Sequence, residues 1–230
     1  MYHLLSKHYD NLFKFNPQIK DFLYPYTTKH GQALDLGCGT GRLTETINQL
    51  NMQTTGIDLD RNMIEIAQKK YPHLDFKDAD MIDFMKNPSQ IYDLITCFGN
   101  TIVHLDHIQL EQVFVEAHLL LNKGKYFIIQ LLNYQKIMDN KPDGLPDLSY
   151  EDLLLKRNYT YFKDHIMFQT ILFDKDDVYE LGETRLFPYT HHDLSDIGQQ
   201  HGFEVEIFGN IDFSPYQYQN SHVYLVFKKI

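Results

Sequence analysis

The stretch Ala33-Leu34-Asp35-Leu36-Gly37-Cys38-Gly39-Thr40-Gly41-Arg42-Leu43 decides how this chain is read. Apolar residues and one acid lead into glycines spaced two apart, and Leu43, Ile47 and Leu50 follow at helical spacing. A glycine-rich turn lets the backbone bend sharply and approach a ligand with no Cβ in the way. Set between a strand and a helix, it aims free backbone N–H groups at that ligand. The pattern predicts a strand over Gln32 to Leu36 and a helix over Thr40 to Leu50.

The alternation repeats downstream. Thr54 to Asp58 reads as a second strand, and Asp60 caps a helix through Lys70 whose Met63, Ile64 and Ala67 face inward. Leu74 to Lys77 is a short third strand with Asp78, Asp80 and Met81 just past its end. Ile91 to Phe98 is a fourth, nearly all apolar as burial on both faces requires, closed by Gly99-Asn100. Asp106 and Gln109 form a partial capping box for a helix with a Leu110, Val113, Phe114, Ala117, Leu120, Leu121 stripe and Gly124 as its stop. Tyr126 to Leu132 is the fifth strand. Short connections between strands and helices imply right-handed crossovers and a doubly wound α/β sheet, mostly parallel and covered on both sides.

At either end the pattern differs. Leu5, Tyr9, Leu12 and Phe13 lie near helical spacing, and Asn16-Pro17 starts a second helix that stops near Pro25. After the fifth strand, residues 133–189 hold a Pro/Gly/Asp stretch from Lys141 to Asp147 and three strand-like runs: Tyr159–Phe162, His165–Phe173 and Val178–Phe187. These read as an antiparallel β insertion, a meander. A box of Thr190 and Asp193 then opens a helix ending at Gly202, and Phe203–Phe208 and His222–Phe227 make a final strand pair. The 230 residues read as one domain.

Composition narrows the partners. A net charge of -10 argues against a nucleic-acid backbone, which needs clustered Lys and Arg. The first residues lack the long apolar core of a signal peptide, and no apolar run reaches the roughly 20 residues of a membrane span, so a cytoplasmic protein with no membrane partner is expected. Two cysteines give no disulfide framework. A homodimer stays open.

Asp58 ends the second strand, where a ribose hydroxyl pair needs an acceptor, and Asp80 follows the third. All three segments deliver polar groups at the carboxyl edge of the sheet, where such folds bind ligands. A dinucleotide fingerprint needs a small residue where Arg42 stands, and no phosphate loop of the G-x-x-x-x-G-K-[ST] kind exists.

Asp35-Leu36-Gly37-Cys38-Gly39-Thr40-Gly41, then Gly56-Ile57-Asp58-Leu59-Asp60, then Asp78-Ala79-Asp80-Met81, resembles the class I S-adenosylmethionine-dependent methyltransferases over about residues 33 to 130. The resemblance implies a seven-stranded sheet of order 3-2-1-4-5-7-6 with the seventh strand antiparallel. It implies that Gly37, Cys38, Gly39 and Gly41 pass under the methionine and ribose of S-adenosyl-L-methionine, with Cys38 a small filler. Asp35 would help hold the amino group, Asp58 the ribose hydroxyls, and Leu59 and Met63 the adenine face. Asp80 would take the adenine amino group beside the Met81 backbone, and Phe98 and Gly99 would border the sulfonium. The helical segment over residues 1–30 would be a lid, with Tyr9 over the cofactor. A sulfonium without phosphates suits acids and aromatic faces.

The acceptor should lie by Phe98 to Leu105. This segment lacks the [DN]-P-P-[YF] sequence of amino-methylating nucleic-acid enzymes and the Pro-Cys of cytosine-C5 enzymes, which points to a small-molecule N or O nucleophile. His104 is the candidate base or orienting group, and Asn100 an orienting amide; a histidine covering the helix start and a strand-end turn are the plainer readings. Tyr159, Tyr161, Phe162, Phe168 and Arg185 of the insertion are candidate pocket walls. No metal is expected: His191-His192 and the His104, Asp106, His107 group match ligand patterns only loosely. A non-catalytic S-adenosylmethionine-binding or interaction module on the same fold is the alternative function.

Overall fold

The computed structural model describes residues 3–88, 90–175 and 177–230. In chain order the elements are α1 (His3–Leu12), α2 (Ile19–Leu23), β1 (Gln32–Leu36), α3 (Arg42–Asn48), β2 (Gln53–Asp58), α4 (Arg61–Lys70), β3 (Asp75–Asp78), α5 (Met81–Lys86) and β4 (Tyr92–Cys97). A 3-10 turn (Thr101–His104), α6 (His107–Leu120), β5 (Leu121–Leu132) and α7 (Tyr134–Asn140) lead into β6 (Gly144–Tyr150), β7 (Leu153–Tyr161), β8 (Ile166–Asp174) and β9 (Asp177–Leu186). The chain closes with α8 (His191–Gln200), β10 (Phe203–Phe208) and β11 (His222–Lys229).

The main sheet has the order β10-β11-β5-β4-β1-β2-β3. It is parallel except for β11, which runs antiparallel to both β5 and β10. With β10 and β11 as its sixth and seventh strands, this is the order expected from the resemblance. Alternation along the buried strands divides the core. Leu34 and Leu36 of β1 join Ile95 and Cys97 of β4 against Ile82 of α5, Leu110, Val113 and Phe114 of α6, and Leu194 of α8. Ala33 and Leu94 face the other way, onto Ile19 and Phe22 of α2 and Leu43 and Ile47 of α3. Phe114 is fully buried edge-on to Phe127 and Phe227, at 5.5 and 5.0 Å between centroids; truncating such a side chain costs about 3–5 kcal/mol.

Several boundaries depart from the sequence pattern, each for a local reason. α6 ends at Leu120 rather than Gly124, because Lys229 Nζ donates to the carbonyls of His118 and Leu121 (2.8 Å to the latter) and takes over the helix end. Gly124 instead takes φ +76° inside β5, within the stretch between Leu121 and Tyr126 where the register against β4 shifts. α5 has no counterpart in the sequence pattern: Asp80 Oδ1 accepts the N–H groups of Ile82 and Asp83 (2.8 and 3.1 Å) and starts it. α7 was missed too, although Asn133 caps it through the Lys136 N–H.

The insertion is a four-stranded antiparallel sheet of order β6-β7-β8-β9, one strand more than the pattern predicted. β6 runs through Pro146, which is tolerated because the strand is an edge and the pairing slips between Leu145 and Leu148. Leu153, Leu155 and Leu172 of the inner face pack on Leu5 and Leu12 of α1. Tyr159, Ile166 and Leu186 pack into the main core. The insertion therefore spans from the N-terminal helix to the carboxyl edge of the main sheet. No helix of the described residues is long and apolar enough to cross a membrane.

Candidate active site

The turn after β1 is built from glycines because its dihedrals demand them: Gly37 and Gly41 sit at φ +70° and +82°. The N–H groups of Gly37 and Cys38 both donate to the Ile57 carbonyl (2.8 and 2.9 Å). Asp58, at the end of β2, accepts from the Gly39 N–H through Oδ2 (2.8 Å) and from the Asp60 N–H through Oδ1 (2.9 Å). The two strand ends are thereby stitched together by one carboxylate. A Cβ built on Gly39 or on Gly99 would meet nothing within 4 Å, so both backbones face open space. Burial raises the pKa of Asp58 despite its N–H donors.

Asp35 points elsewhere. It is 1 % exposed, and its two oxygens accept the hydroxyls of Thr44 (2.7 Å) and Thr96 (2.8 Å). Burial pushes its carboxyl up to about 6, opposed by those hydroxyls and reinforced by the charge of Asp58. Its place is to tie β1 to α3 and β4 beneath the turn rather than to meet a ligand's amino group. Burial also raises the Cys38 thiol, which is inert filler against the Gly39 carbonyl.

The remaining candidates surround the turn unequally. Met63 is buried and Leu59 is 73 % exposed. Asp80 spends Oδ1 on its helix cap, and Met81 packs partly buried against the core. Phe98, partly buried, meets Tyr224 edge-on at 6.1 Å. Gly99 (φ +73°) donates to Gln130 Oε1 at 2.8 Å. Asn100, itself left-handed at φ +68°, uses both ends of its amide: Oδ1 accepts the Leu132 N–H (3.2 Å) and Nδ2 donates to Tyr134 Oη (2.8 Å). It aims Tyr134. His104 ends the 3-10 turn exposed, with no hydrogen-bond partner among the described residues, while the atoms crowding one side hold its pKa below the usual histidine value by desolvation.

The N-terminal helix lies across this turn through a charged latch. Asp10 of α1 accepts the Thr40 hydroxyl (2.6 Å), pairs with Arg42 Nε (3.0 Å) and binds Lys70 Nζ at the end of α4. Arg42 Nη1 donates to the Phe13 carbonyl (2.6 Å), and its guanidinium lies 5.8 Å from the Tyr9 ring, which stacks on Phe13. Burial alone would raise the Asp10 pKa, but the Lys70 and Thr40 donors and the two cations outweigh it and lower it. Arg42, which in the sequence only argued against a dinucleotide, is the anchor of this helix. Asp10 carried no signal of its own.

In the insertion, Tyr159 and Phe168 lie on the inner face with ring centroids 5.6 Å apart. Arg185 pairs opposite Met167, in register with Thr160, and so belongs to the outer face; Phe162 is 49 % exposed and stacks on His165. Neither walls the site. His191 packs against Tyr216 with the rings tilted at 42° and 4.2 Å between centroids, and Tyr216 Oη donates to Asn133 Oδ1. His107 packs on Tyr189, and Asp106 is its helix cap. Among the described residues no group of three or more His, Cys, Asp or Glu is arranged to hold a metal. Two surface clefts, of about 520 and 420 Å³, lie away from the glycine turn, by Lys86 and Leu120 and by Gln53 and His73.

Residues 33–124 match the family model described as a methyltransferase domain. The trans-aconitate 2-methyltransferase of Sinorhizobium fredii (strain NBRC 101917 / NGR234) is 38% identical over 91 residues, covering 38% of this chain and 34% of that protein. The chain spans no more than about half the length of the curated relatives it matches. A crystal structure of an S-adenosylmethionine-dependent methyltransferase from Clostridium acetobutylicum ATCC 824 superposes with a TM-score of 0.84 at 18% identity, over 99% of this chain and 98% of that one. The S-adenosylmethionine-bound amino pentose methyltransferase CalS10 of Micromonospora echinaspora reaches 0.74 at 15% identity, over 98% and 97%. With the sheet order and the acid-bearing strand ends, these matches make residues 33–124 similar to a methyltransferase domain and give the whole chain the fold of the S-adenosylmethionine-dependent methyltransferases on which it superposes.

Proposed function

We propose that the chain binds S-adenosyl-L-methionine over the glycine turn and methylates a small-molecule N or O nucleophile. The observation that carries this is the charge pattern at the carboxyl edge. Asp58 and Asp80 stand at the strand ends, and among the described residues neither forms an ion pair. The cation beside the turn, Arg42, is neutralised by Asp10. A phosphate-bearing ligand would be repelled, whereas a cation with hydroxyl and amino donors suits these groups.

Asp58 keeps lone pairs for ribose hydroxyls beyond the two N–H groups it accepts, and Asp80 keeps Oδ2 for the adenine amino group. Leu59 and Met63 would flank the base, and Phe98 with Gly99 the sulfonium. The open space at Gly39 and Gly99 is where a side chain would obstruct the cofactor. The bound cofactor supplies a methyl group activated on sulfur. The chain's own part is then to hold an acceptor lone pair in line, which by itself accounts for a large share of such a reaction.

Tyr134, aimed by Asn100, borders the acceptor side. His104, with its depressed pKa, is neutral at pH 7 and so able to accept a proton from an acceptor that must lose one. α1 acts as the lid with Tyr9 over the cofactor, and residues 133–189 wall the acceptor. The N or O assignment is supported by the named relatives, which include a trans-aconitate and an amino pentose methyltransferase.

Calorimetry with S-adenosylhomocysteine tests the reading. Asp58→Ala should weaken binding by about 1–3 kcal/mol, the range for a lost charge-assisted hydrogen bond. No binding of the wild type at millimolar ligand overturns the function.

A further inference from the structure

The inner face of the insertion sheet is apolar at both ends and broken in the middle. Along β7 the inward row reads Leu153, Leu155, Arg157, Tyr159, Tyr161. The leucines lie under α1 and Tyr159 packs into the main core, so Arg157 sits between lid and catalytic domain. Its cross-strand neighbours are Leu145 of β6 and Thr170 of β8, and Thr170 faces Gly182 of β9. This layer is a polar notch in an otherwise apolar wall.

Two donors there have no acceptor. Arg157 Nε and Tyr159 Oη are buried without a hydrogen-bond partner, and Tyr159 is only 7 % exposed. Arg157 donates through Nη2 to the Pro146 carbonyl and lies 5.9 Å from the Phe13 ring, yet no described Asp or Glu pairs with it. The guanidinium as a whole is half-buried and feels the charge of Asp147, but its Nε, like the phenol of Tyr159, is shut off from water with no partner, which is costly unless a ligand completes it. Tyr159 shares its core cluster with Tyr134, whose hydroxyl receives the Asn100 amide just past the end of β4. The notch therefore continues into the region assigned to methyl transfer.

We propose that Arg157 Nε and Tyr159 Oη are the recognition point for an anionic group on the methyl acceptor, and that this group is a carboxylate. Arg157 Nε can only donate, and the Tyr159 phenol can donate as well as accept, so an anionic acceptor satisfies both groups at once. Two donors from adjacent inward positions match the two oxygens of a carboxylate; a phosphate would leave a third oxygen unmet. Phe13, just past the end of α1, covers the guanidinium, so the acceptor enters beneath the same N-terminal segment that covers the glycine turn. This inference rests on the methyltransferase reading.

The test uses the full chain saturated with S-adenosylhomocysteine and titrated in a calorimeter with trans-aconitate, its neutral triamide and inorganic phosphate. The wild type should bind the carboxylate and not the triamide. Arg157→Met should weaken it at least tenfold and Tyr159→Phe several-fold, with Arg157→Lys retaining part of the binding, while S-adenosylhomocysteine affinity stays within twofold in all three. Equal carboxylate affinity in wild type and Arg157→Met, no carboxylate binding by the wild type, or tighter phosphate than carboxylate binding overturns the assignment. Loss of folding in Arg157→Met leaves the decision to Tyr159→Phe and Arg157→Lys, which preserve shape. Failure of S-adenosylhomocysteine to bind the wild type overturns the function itself, a different result from a cofactor-loaded chain indifferent to carboxylates.

Discussion

Replacing Asp10 by Asn keeps the side chain's shape and one acceptor oxygen for Thr40 but removes the charge that holds Arg42 and Lys70. The three side chains are partly exposed, Arg42 17 %, Asp10 31 % and Lys70 36 %, so each ion pair is screened and contributes about 0.5–1 kcal/mol. The docking of α1 should lose about 1–2 kcal/mol, a factor of about 5–30 in its undocked population. Hydrogen exchange of the amides in His3–Leu12 reads this directly, and dissociation of S-adenosylhomocysteine should accelerate by a similar factor. Because the Asp10 pKa is lowered from 3.8, the latch is intact above that value and is lost as pH falls through the folded one. The wild type should therefore approach the exchange behaviour of Asp10→Asn as pH falls well below 3.8 and in high salt, where Debye screening shortens the reach of charge. Equal exchange of residues 3–12 in wild type and variant at pH 7 and low salt would refute the latch.

Other consequences follow from the same geometry. Asp35, raised from 3.8 to about 6, favours the folded state when protonated, so its contribution is present at low pH and lost as pH rises through 6. Relative to Asp35→Asn the wild type should lose about 3 kcal/mol of stability between pH 4 and pH 7, and parallel urea midpoints at both pH values would exclude this. Gly39→Ala should cost about 1–2 kcal/mol for the left-handed dihedral of +54° but meet no clash, so the chain folds while its methyl occupies the cradle and S-adenosylhomocysteine affinity collapses in calorimetry. His104→Gln should lower kcat by about 10²-fold or more and erase the acidic limb of the pH–rate profile below the usual histidine pKa; a retained limb assigns the base elsewhere.

The parallel half of the molecule was readable because its signals are local. Strand, glycine turn, capped helix and terminal acid recur within short spans, and β1, α4, α6 and α8 start where Asp60, Asp106, Thr190 and the apolar runs say they should. What escaped depends on distant chain segments. The end of α6 is set by Lys229, far along the sequence, and β6 survives Pro146 only because a partner strand leaves it at an edge. Asp35 reads as a ligand residue from its motif, yet Thr96, brought beside it by β4, turns it inward. Arg42 shows the same limit from the other side. Its size at a position that should be small argues against a dinucleotide, which sequence can say. That the side chain crosses to Asp10 and to the Phe13 carbonyl, while Phe13 covers Arg157, emerges only when α1, α3 and β7 meet. A substitution at Arg42 should thus disturb both the glycine turn's cover and the carboxylate notch, although Arg42 borders neither ligand.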